Sequence, residues 1–288
     1  MNELIELLKN SNRHFLAVAG MALGLASPLY SSEPALTEVR PIVEEMLEYH
    51  VEHKEYGPEL LQRTFKLFID QFDPAKIYLT AGEVETYIAI SEKKAKLAAQ
   101  AYGRNRFPDF LVLNELINKA IVRNTEWREE LQRAQIVATQ LPQQPAGESY
   151  LDFAENEVQL KDRLQRQLVQ LLWEEKMKRE GESWDPELRE KIGSYWNKRF
   201  VRHEGNYAKD NTILLARHIL KAAARSLDAH SAFFTEEEAL EMRASLEKQF
   251  DGIGVVLKEG IEGIVIADLV PNGPASRSGQ VAVGDVIA

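Results

Sequence analysis

Two glycines separated by one residue, Gly252 and Gly254, are the first candidates for binding chemistry in this chain. Glycine has no Cβ, so a Gly-x-Gly bend lets successive backbone N–H groups face one point and form a nest for an anion. A tight turn before an ordinary core strand explains the same pattern, and the pair alone leaves both explanations open. A dinucleotide fingerprint is not favoured, because the third glycine is missing and a helix precedes the motif.

Two other motifs resemble nucleophilic sites. In "LDAHS", Asp228, His230 and Ser231 stand almost side by side. Catalytic triads are assembled in space from separate elements, so this spacing predicts a structural turn instead. The segment from Ser245 to Lys248 matches S-x-x-K, but neither S-D-N nor K-T-G follows it, and a solvated helix face is the expected role. Neither motif is predicted to be catalytic.

His50 and His53 could share a metal on one helix face, but no third ligand is evident. We expect surface histidines, with no metal site and no cofactor. The 35 basic and 45 acidic residues give a formal net charge of −10, which argues against nucleic-acid binding because phosphate neutralisation needs clustered lysine and arginine. The chain has no cysteine, so thiolate chemistry and disulfides are excluded.

From Ala35 to about Gln249 the sequence predicts helices. Pro108 and Pro186 suit the first position of two of them, and the Pro- and Gln-rich segment 141–149 predicts a connector. Apolar residues recur at helical spacing in one segment as Leu60, Leu61, Phe65, Phe68, Ile69 and Phe72.

Capping boxes predict two helix starts. In each box a threonine hydroxyl accepts the amide hydrogen of a glutamate three residues on, and the glutamate carboxylate reaches back to the threonine amide. The pairs are Thr80 with Glu83 and Thr235 with Glu238.

After Gly252 the apolar spacing changes to that of a strand, with Ile253, Val255 and Leu257 on one face. A turn at Glu259–Gly260, a second strand, a short helix from Pro274 to Gly279 and the start of a further strand follow. The predicted fold class is therefore mainly α, followed by a small α+β module.

The first 32 residues have the order of a secretory signal. Lys9 and Arg13 precede the apolar run "FLAVAGMALGLA", which is too short to span a bilayer, and Gly24-Leu25-Ala26 provides a small-x-small cleavage site. A buried N-terminal helix is the alternative. No later stretch is apolar enough for a membrane span, so we predict export to a periplasmic space.

Several segments carry a resemblance to one family. "FDGIGVVL", "PNGPASRSG" and "VGDVIA", in this order, resemble the first half of a bacterial PDZ domain. "SLDAHSAFFTEEEALEMRASLEKQFDGIG" resembles the segment that leads into that domain in C-terminal processing, or tail-specific, serine proteases. "LFIDQFDPAKIYLTAGEVETY" and "WDPELREKIGSYWNKRFVRHE" resemble the helical N-terminal domain of the longer, periplasmic members. Ala229 departs from the family, which usually has proline there.

After the signal peptide (1–32) predicted above, the resemblance implies a helical domain (33–234), a linking helix (235–249) and a truncated PDZ domain (250–288). It implies that the amides around Gly252, Ile253 and Gly254 bind the carboxylate of a peptide. Ile253, Val255 and Leu257 would then line a pocket for an apolar terminal side chain.

The family's serine nucleophile and lysine base lie in a later domain, so we expect the 288 residues alone to be inactive as a peptidase. The implied partners are C-terminal tails of substrate proteins, with an accessory protein on the helical domain. The alternative is a non-catalytic helical adaptor that binds peptides through a PDZ-like module.

Overall fold

The computed structural model describes residues 16–18, 33–134, 152–179, 186–207, 211–247 and 252–287. The rest of the predicted signal segment, the predicted connector 141–149 and Lys248 of the S-x-x-K segment lie outside the described residues. The helices are α1 (Val39–Tyr49), α2 (Pro58–Phe72), α3 (Ala81–Ile88), α4 (Glu92–Gly103), α5 (Pro108–Arg133), α6 (Glu157–Lys178), α7 (Pro186–Gly205), α8 (Thr212–Leu227), α9 (Glu236–Glu247) and α10 (Pro274–Ser278), with a short 3₁₀ helix at Leu36–Glu38.

The described residues also contain five strands: β1 (Leu16–Val18), β2 (Ser231–Phe233), β3 (Val255–Gly260), β4 (Gly263–Leu269) and β5 (Val286–Ile287). The predicted fold class, mainly α with a small α+β module, is confirmed. The chain divides into two compact units. A helical unit comprises residues up to 129, 148–165 and 203–243, and a second unit comprises 130–147, 166–202 and 244–288.

The core of the helical unit is built on α2, which packs against α8. Phe65, Phe68 and Phe72 are at most 1% exposed, and the ring centroids of Phe65 and Phe110 are 4.7 Å apart. Burying each such ring contributes roughly 1.5–3 kcal/mol. The helical spacing read from the sequence therefore identified the buried face of α2.

A buried carboxylate holds the loop after α2. Asp73 is fully buried, and its two oxygens accept hydrogen bonds from the amides of Ile77 (2.8 Å), Tyr78 (3.0 Å) and Leu79 (3.0 Å). The loop amides are thereby satisfied away from water, as buried backbone donors must be.

The helical unit also contains a buried ion pair. The Arg128 side chain is 1% exposed, and its two terminal nitrogens lie 2.6 and 2.9 Å from the two carboxylate oxygens of Glu204. The Tyr78 hydroxyl donates to the same carboxylate at 2.9 Å. The hydrogen bonds from Arg128 and Tyr78 thus offset the desolvation free energy of the two buried charges.

The two capping boxes differ in detail. At Thr235 the box is complete: the amide of Glu238 donates to the threonine hydroxyl (3.3 Å), and the glutamate carboxylate accepts from the Thr235 amide (3.0 Å). At Thr80 the Glu83 carboxylate accepts from the amide (2.8 Å), but the hydroxyl also donates to that carboxylate (3.0 Å). The predicted helix starts at Pro108 and Pro186 are confirmed.

The second unit contains a three-stranded antiparallel sheet in the order β3-β4-β5. The predicted turn at Glu259–Gly260 is wrong: Gly260 pairs with Gly263, and Ile261 and Glu262 make the turn. The register shifts between Val256 and Leu257. The buried apolar residues of the helices in this unit include Leu168, Leu172, Ile192, Trp196 and Phe200.

Within the N-terminal apolar run, Leu16–Val18 pairs antiparallel with Ser231–Phe233 in the helical unit. Among the helices that the structure describes, none is both long and apolar enough to cross a membrane.

Candidate functional site

The predicted anion nest lies at the start of the β3–β5 module. Gly254 has φ +78°, and its carbonyl accepts from the Val270 amide at 2.9 Å. The preceding carbonyl, of Ile253, accepts from the Ala275 amide at 2.8 Å, which ties the bend to the start of α10. The bend is therefore held in place through its carbonyl oxygens.

The amide side of the same bend is open. The N–H groups of Gly252, Ile253 and Gly254 make no hydrogen bond to another residue that the structure describes. Gly252 and Ile253 are exposed, and Gly254 is half-buried. Three consecutive amide donors without a partner in the described chain have the composition of an anion-binding nest.

The two glycines have different roles. A Cβ added to Gly254 would lie 3.3 Å from the Gly273 Cα and 3.5 Å from the Val270 Cβ, and its φ is one that side chains disfavour. A Cβ added to Gly252 would meet nothing within 4 Å. The fold requires glycine at 254, whereas at 252 the space beside the backbone is empty.

Gly273 is a residue that the sequence reasoning missed. Its own added Cβ would lie 3.0 Å from the Val270 carbonyl oxygen and 3.4 Å from the Gly254 Cα. The signal for it was the Asn272-Gly273 dipeptide, which is typical of tight turns, and Asn272 indeed has φ +62°. The bend is thus a close approach of two glycine backbones.

Strand β3 is an edge strand. In the described sheet it pairs with β4 on one side and with no strand on the other. An unpaired edge offers alternating N–H and C=O groups to an added strand.

The three apolar residues predicted for the pocket lie along this edge. Ile253 is 66% exposed and Leu257 is 48% exposed, while Val255 is half-buried. Exposed aliphatic side chains beside free backbone donors are suited to receiving an apolar side chain. The predicted site residues thus lie on the short segment 252–257, at the bend and the first part of the β3 edge.

The far end of β3 is occupied by helix α7, within the same unit. The Tyr195 hydroxyl lies 3.5 Å from the Glu259 carbonyl oxygen, and Arg202 forms an ion pair with the Glu259 carboxylate. Arg179 pairs with Glu262 in the β3–β4 turn at 3.2 Å. These contacts fix the hairpin end that lies opposite the glycine bend.

Upstream, Asp228 is the centre of the "LDAHS" segment. Its carboxylate accepts from the amides of His230 (2.6 Å) and Ser231 (2.7 Å), from the Ser231 hydroxyl (3.0 Å) and from His50 Nε2 (2.7 Å). Partial burial raises the pKa of this carboxyl, but the hydrogen bonds, led by the one from His50, outweigh it and lower the pKa to about 2.

This arrangement is a structural turn and not a triad. In a triad the histidine lies between serine and aspartate, whereas here the aspartate lies between Ser231 and His50. His50 Nδ1 accepts from the amide of His53 at 2.9 Å, which leaves the Nε2 proton for Asp228. The structural prediction for this segment is confirmed.

The prediction that His50 is a surface histidine is wrong. The residue is only 3% exposed, because its side chain, at the C-terminal end of α1, packs inward and hydrogen-bonds Asp228, which lies 178 positions later in the sequence. No group of three potential metal-ligating side chains exists among the described residues.

Comparison with known proteins agrees with this architecture. A family model described as the tail-specific protease N-terminal domain matches residues 42–237. The match covers more than half of the chain and nearly all of the helical region, and it ends before the β3–β5 module. The chain belongs to the tail-specific protease family.

One relative can be described more closely. A tail-specific protease of Haemophilus influenzae is 29% identical over 111 residues, which are 38% of this chain and 15% of that protein. The chain thus matches only a small part of that relative's length.

Proposed function

We propose that this chain is the N-terminal part of an exported tail-specific serine protease and that it recognises the apolar C-terminus of a protein substrate. The carboxylate would be bound by the amides of Gly252, Ile253 and Gly254. The tail would add to the free edge of β3, and its last side chain would contact Ile253, Val255 and Leu257.

The observation that carries this proposal is the set of three amides without an acceptor in the described chain, next to an open strand edge. A carboxylate needs several converging donors, and hydrogen bonds to a charged acceptor are worth about 1.5–3 kcal/mol each. Main-chain pairing with β3 would supply affinity with little sequence preference. The exposed aliphatic side chains would supply the preference for an apolar tail.

The test is binding of a labelled peptide that ends in three apolar residues, measured by fluorescence anisotropy. Its C-terminal amide should bind roughly 10- to 100-fold more weakly, because one charge-assisted hydrogen bond is lost. A peptide ending in lysine should also bind more weakly. Equal binding of the acid and the amide would contradict the carboxylate nest.

A matched pair of variants locates the site. Gly252→Val fills the empty space beside the nest and should weaken peptide binding about tenfold. Gly57→Val is the control, because a Cβ there also meets nothing within 4 Å and Gly57 lies at the start of α2. Equal losses in both variants would argue against a site at Gly252.

Proteolysis is tested separately. On the family resemblance, the serine nucleophile and lysine base follow the PDZ domain, so residues 1–288 should bind the peptide without cleaving it. Cleavage by the purified chain would overturn this part of the proposal. Sequencing the gene beyond codon 288 distinguishes a protease from an adaptor, since only the protease continues into a Ser/Lys catalytic domain.

Export is tested by the mature N-terminus. Cleavage after Ala26 would remove β1 from its pairing with β2. N-terminal sequencing of the protein from a periplasmic fraction should therefore give a start close to Ser27. An intact Met1 on cytoplasmic protein would contradict export.

A further inference from the structure

A second candidate binding surface lies in the helical unit, and no residue of the β3–β5 module lines it. A pocket of about 570 Å³ opens between the 3₁₀ helix and the turn that joins α4 to α5. We call it the α4–α5 pocket. Its volume falls in the range of known ligand sites, roughly 300–1,000 Å³.

The walls of this pocket are apolar and partly exposed. Leu36 and Phe107 line it, together with Leu97 and Leu111, which are 55% and 49% exposed. Leucines that remain half exposed at a rim leave room for a large side chain to enter between them.

The charge of the pocket is opposite to that of the whole protein. Arg104 and Arg106 line it, and among the described lining residues there is no carboxylate. Both arginines are exposed, and neither makes an ion pair with a described residue. Two unpaired arginines at one apolar pocket form a local positive site on a chain of net charge −10.

The neighbouring carboxylates are already engaged. Glu38, next to the lining residue Thr37, accepts from the Ala35 amide at 2.7 Å. Asp109, next to the lining residue Pro108, lies 3.8 Å from Lys94 Nζ. Neither of these carboxylates forms an ion pair with Arg104 or Arg106.

The turn that carries the arginines is fixed. The amides of Arg104 and Arg106 donate to the Ala101 carbonyl at 3.0 and 2.9 Å, and Asn105 adopts φ +54°. The Asn105 side-chain amide donates to the Thr37 carbonyl at 2.7 Å, which joins the turn to the 3₁₀ helix. A preorganised turn lowers the entropy lost when a ligand binds.

From this combination we infer that the α4–α5 pocket binds an acidic peptide segment of a partner protein, one that places one or two large apolar side chains between glutamates or aspartates. The apolar side chains enter between Leu97 and Leu111, and the carboxylates contact Arg104 and Arg106. A fatty acid fits less well, since the half-exposed rim would leave much of an acyl chain in water.

Cations also suit the C-terminal end of a helix, so the position of Arg104 after α4 has a structural explanation of its own. That explanation predicts a loss of helix stability on substitution and no ligand. The experiment therefore measures binding with charge-matched variants.

The probe is a labelled peptide of about twelve residues with leucine and phenylalanine four positions apart among glutamates. Comparison probes replace its glutamates by lysines or its apolar residues by serines, and dodecanoate tests for a lipid ligand. The glutamate peptide should bind the full 288-residue chain at low salt, and binding should weaken at about 0.5 M salt as the charges are screened. Failure to bind, equal binding of the lysine peptide, or binding of dodecanoate alone would overturn the inference.

Variants place the interaction. Arg104→Glu with Arg106→Glu should weaken binding roughly tenfold, as two exposed ion pairs become repulsions, and should improve binding of the lysine peptide. Lys198→Glu with Arg199→Glu makes the same charge change on exposed residues of α7 and should have little effect. Equal losses in the two double variants would mean that only net charge matters and would contradict a site.

The contribution of the apolar pocket wall to peptide binding is tested in the same way. Leu97→Ser should weaken binding about fivefold, because the peptide's apolar side chain loses a buried contact. Leu240→Ser, at a leucine that is 53% exposed in α9, is the control and should not change binding. An unchanged affinity for Leu97→Ser would exclude this pocket as the docking site.

Discussion

In the helical unit the Asp73 carboxylate accepts three backbone amides, whereas in the β3–β5 module three amides around Ile253 have no acceptor among the described residues. The burial of apolar side chains shows the same difference between the two regions. Ile69 and Phe72 are fully buried, but Ile253 is 66% exposed. In the loop after α2 the backbone donors are satisfied within the helical unit, whereas the bend of the module presents donors and apolar surface to which another chain could bind.

This difference predicts where substitutions reduce stability and where they change binding. In the helical unit a polar group that loses its partner stays buried, so substitutions should be costly. In the module the same groups face water, so substitutions should change binding more than folding. Three predictions test this contrast, in order of decreasing effect.

The largest effect is expected at the buried ion pair. Glu204→Ala removes both carboxylate hydrogen bonds from Arg128 and should lower the free energy of unfolding by about 3–5 kcal/mol, measured by urea denaturation. The exposed pair of Arg63 and Glu59, 2.7 Å apart on α2, is the control. Glu59→Ala should lower the free energy of unfolding by less than about 1 kcal/mol. A similar loss for the two variants would contradict the expected difference between the buried and the exposed ion pair.

A pH dependence should arise from His218. Burial lowers the pKa of this imidazole to about 4, and its Nε2 lies 2.8 Å from the Asn206 carbonyl, while Nδ1 is buried without a partner. Below pH 6.5 the unfolded chain gains a proton that the folded chain does not. Stability should therefore fall by about 2–3 kcal/mol between pH 6.5 and 4.

His218→Gln isolates this contribution. The variant should show a flatter stability profile between pH 6.5 and 4 than the parent chain, measured by thermal unfolding at each pH. An unchanged profile would mean that another group controls the acid sensitivity of the helical unit.

The smallest effect on folding is expected in the module, where substitutions at the two glycines of the bend should differ in their effect on stability. Gly254→Ala introduces a side chain at φ +78° and should destabilise the module by about 1–2 kcal/mol. Gly252→Ala should cost less than about 0.5 kcal/mol, since its surroundings are empty. Hydrogen exchange of the β3 and β4 amides measures the stability loss in each variant. Equal protection in the two variants would contradict the different roles of Gly252 and Gly254.

Much of the fold could be predicted from the sequence because the signals are local. Periodicity identified the buried face of α2, and the capping box at Thr235 placed the start of α9. The alternation after Gly252 likewise predicted a strand, which begins at Val255 and so leaves Ile253 in the bend. Each of these depends on residues within a few positions of one another.

The errors came from contacts that are distant or across strands. Gly260 was taken for a turn residue, but it is a strand residue whose missing side chain makes room for Val265, since an added Cβ would lie 2.6 Å from a Val265 methyl carbon. His50 was taken for a surface residue because its partner, Asp228, lies 178 positions away. Neither relation leaves a periodic or local signal.

The site was predicted in part. The residues of the bend were identified from the Gly-x-Gly pattern and the family resemblance, but the pattern treated Gly252 and Gly254 as equivalent. Only the packing of Gly254 against Gly273 distinguishes the glycine that the backbone needs from the one beside an open space.

The contact between His50 and Asp228 also sets an order of events during synthesis. A ribosome adds roughly 5–20 residues per second, so α1 emerges about 10 to 35 seconds before the aspartate that secures its end. Its main packing partners on α8 appear just as late. The faces that α1 and α2 present to α8 therefore stay uncovered until nearly the whole helical unit is available, whether at the ribosome or after export.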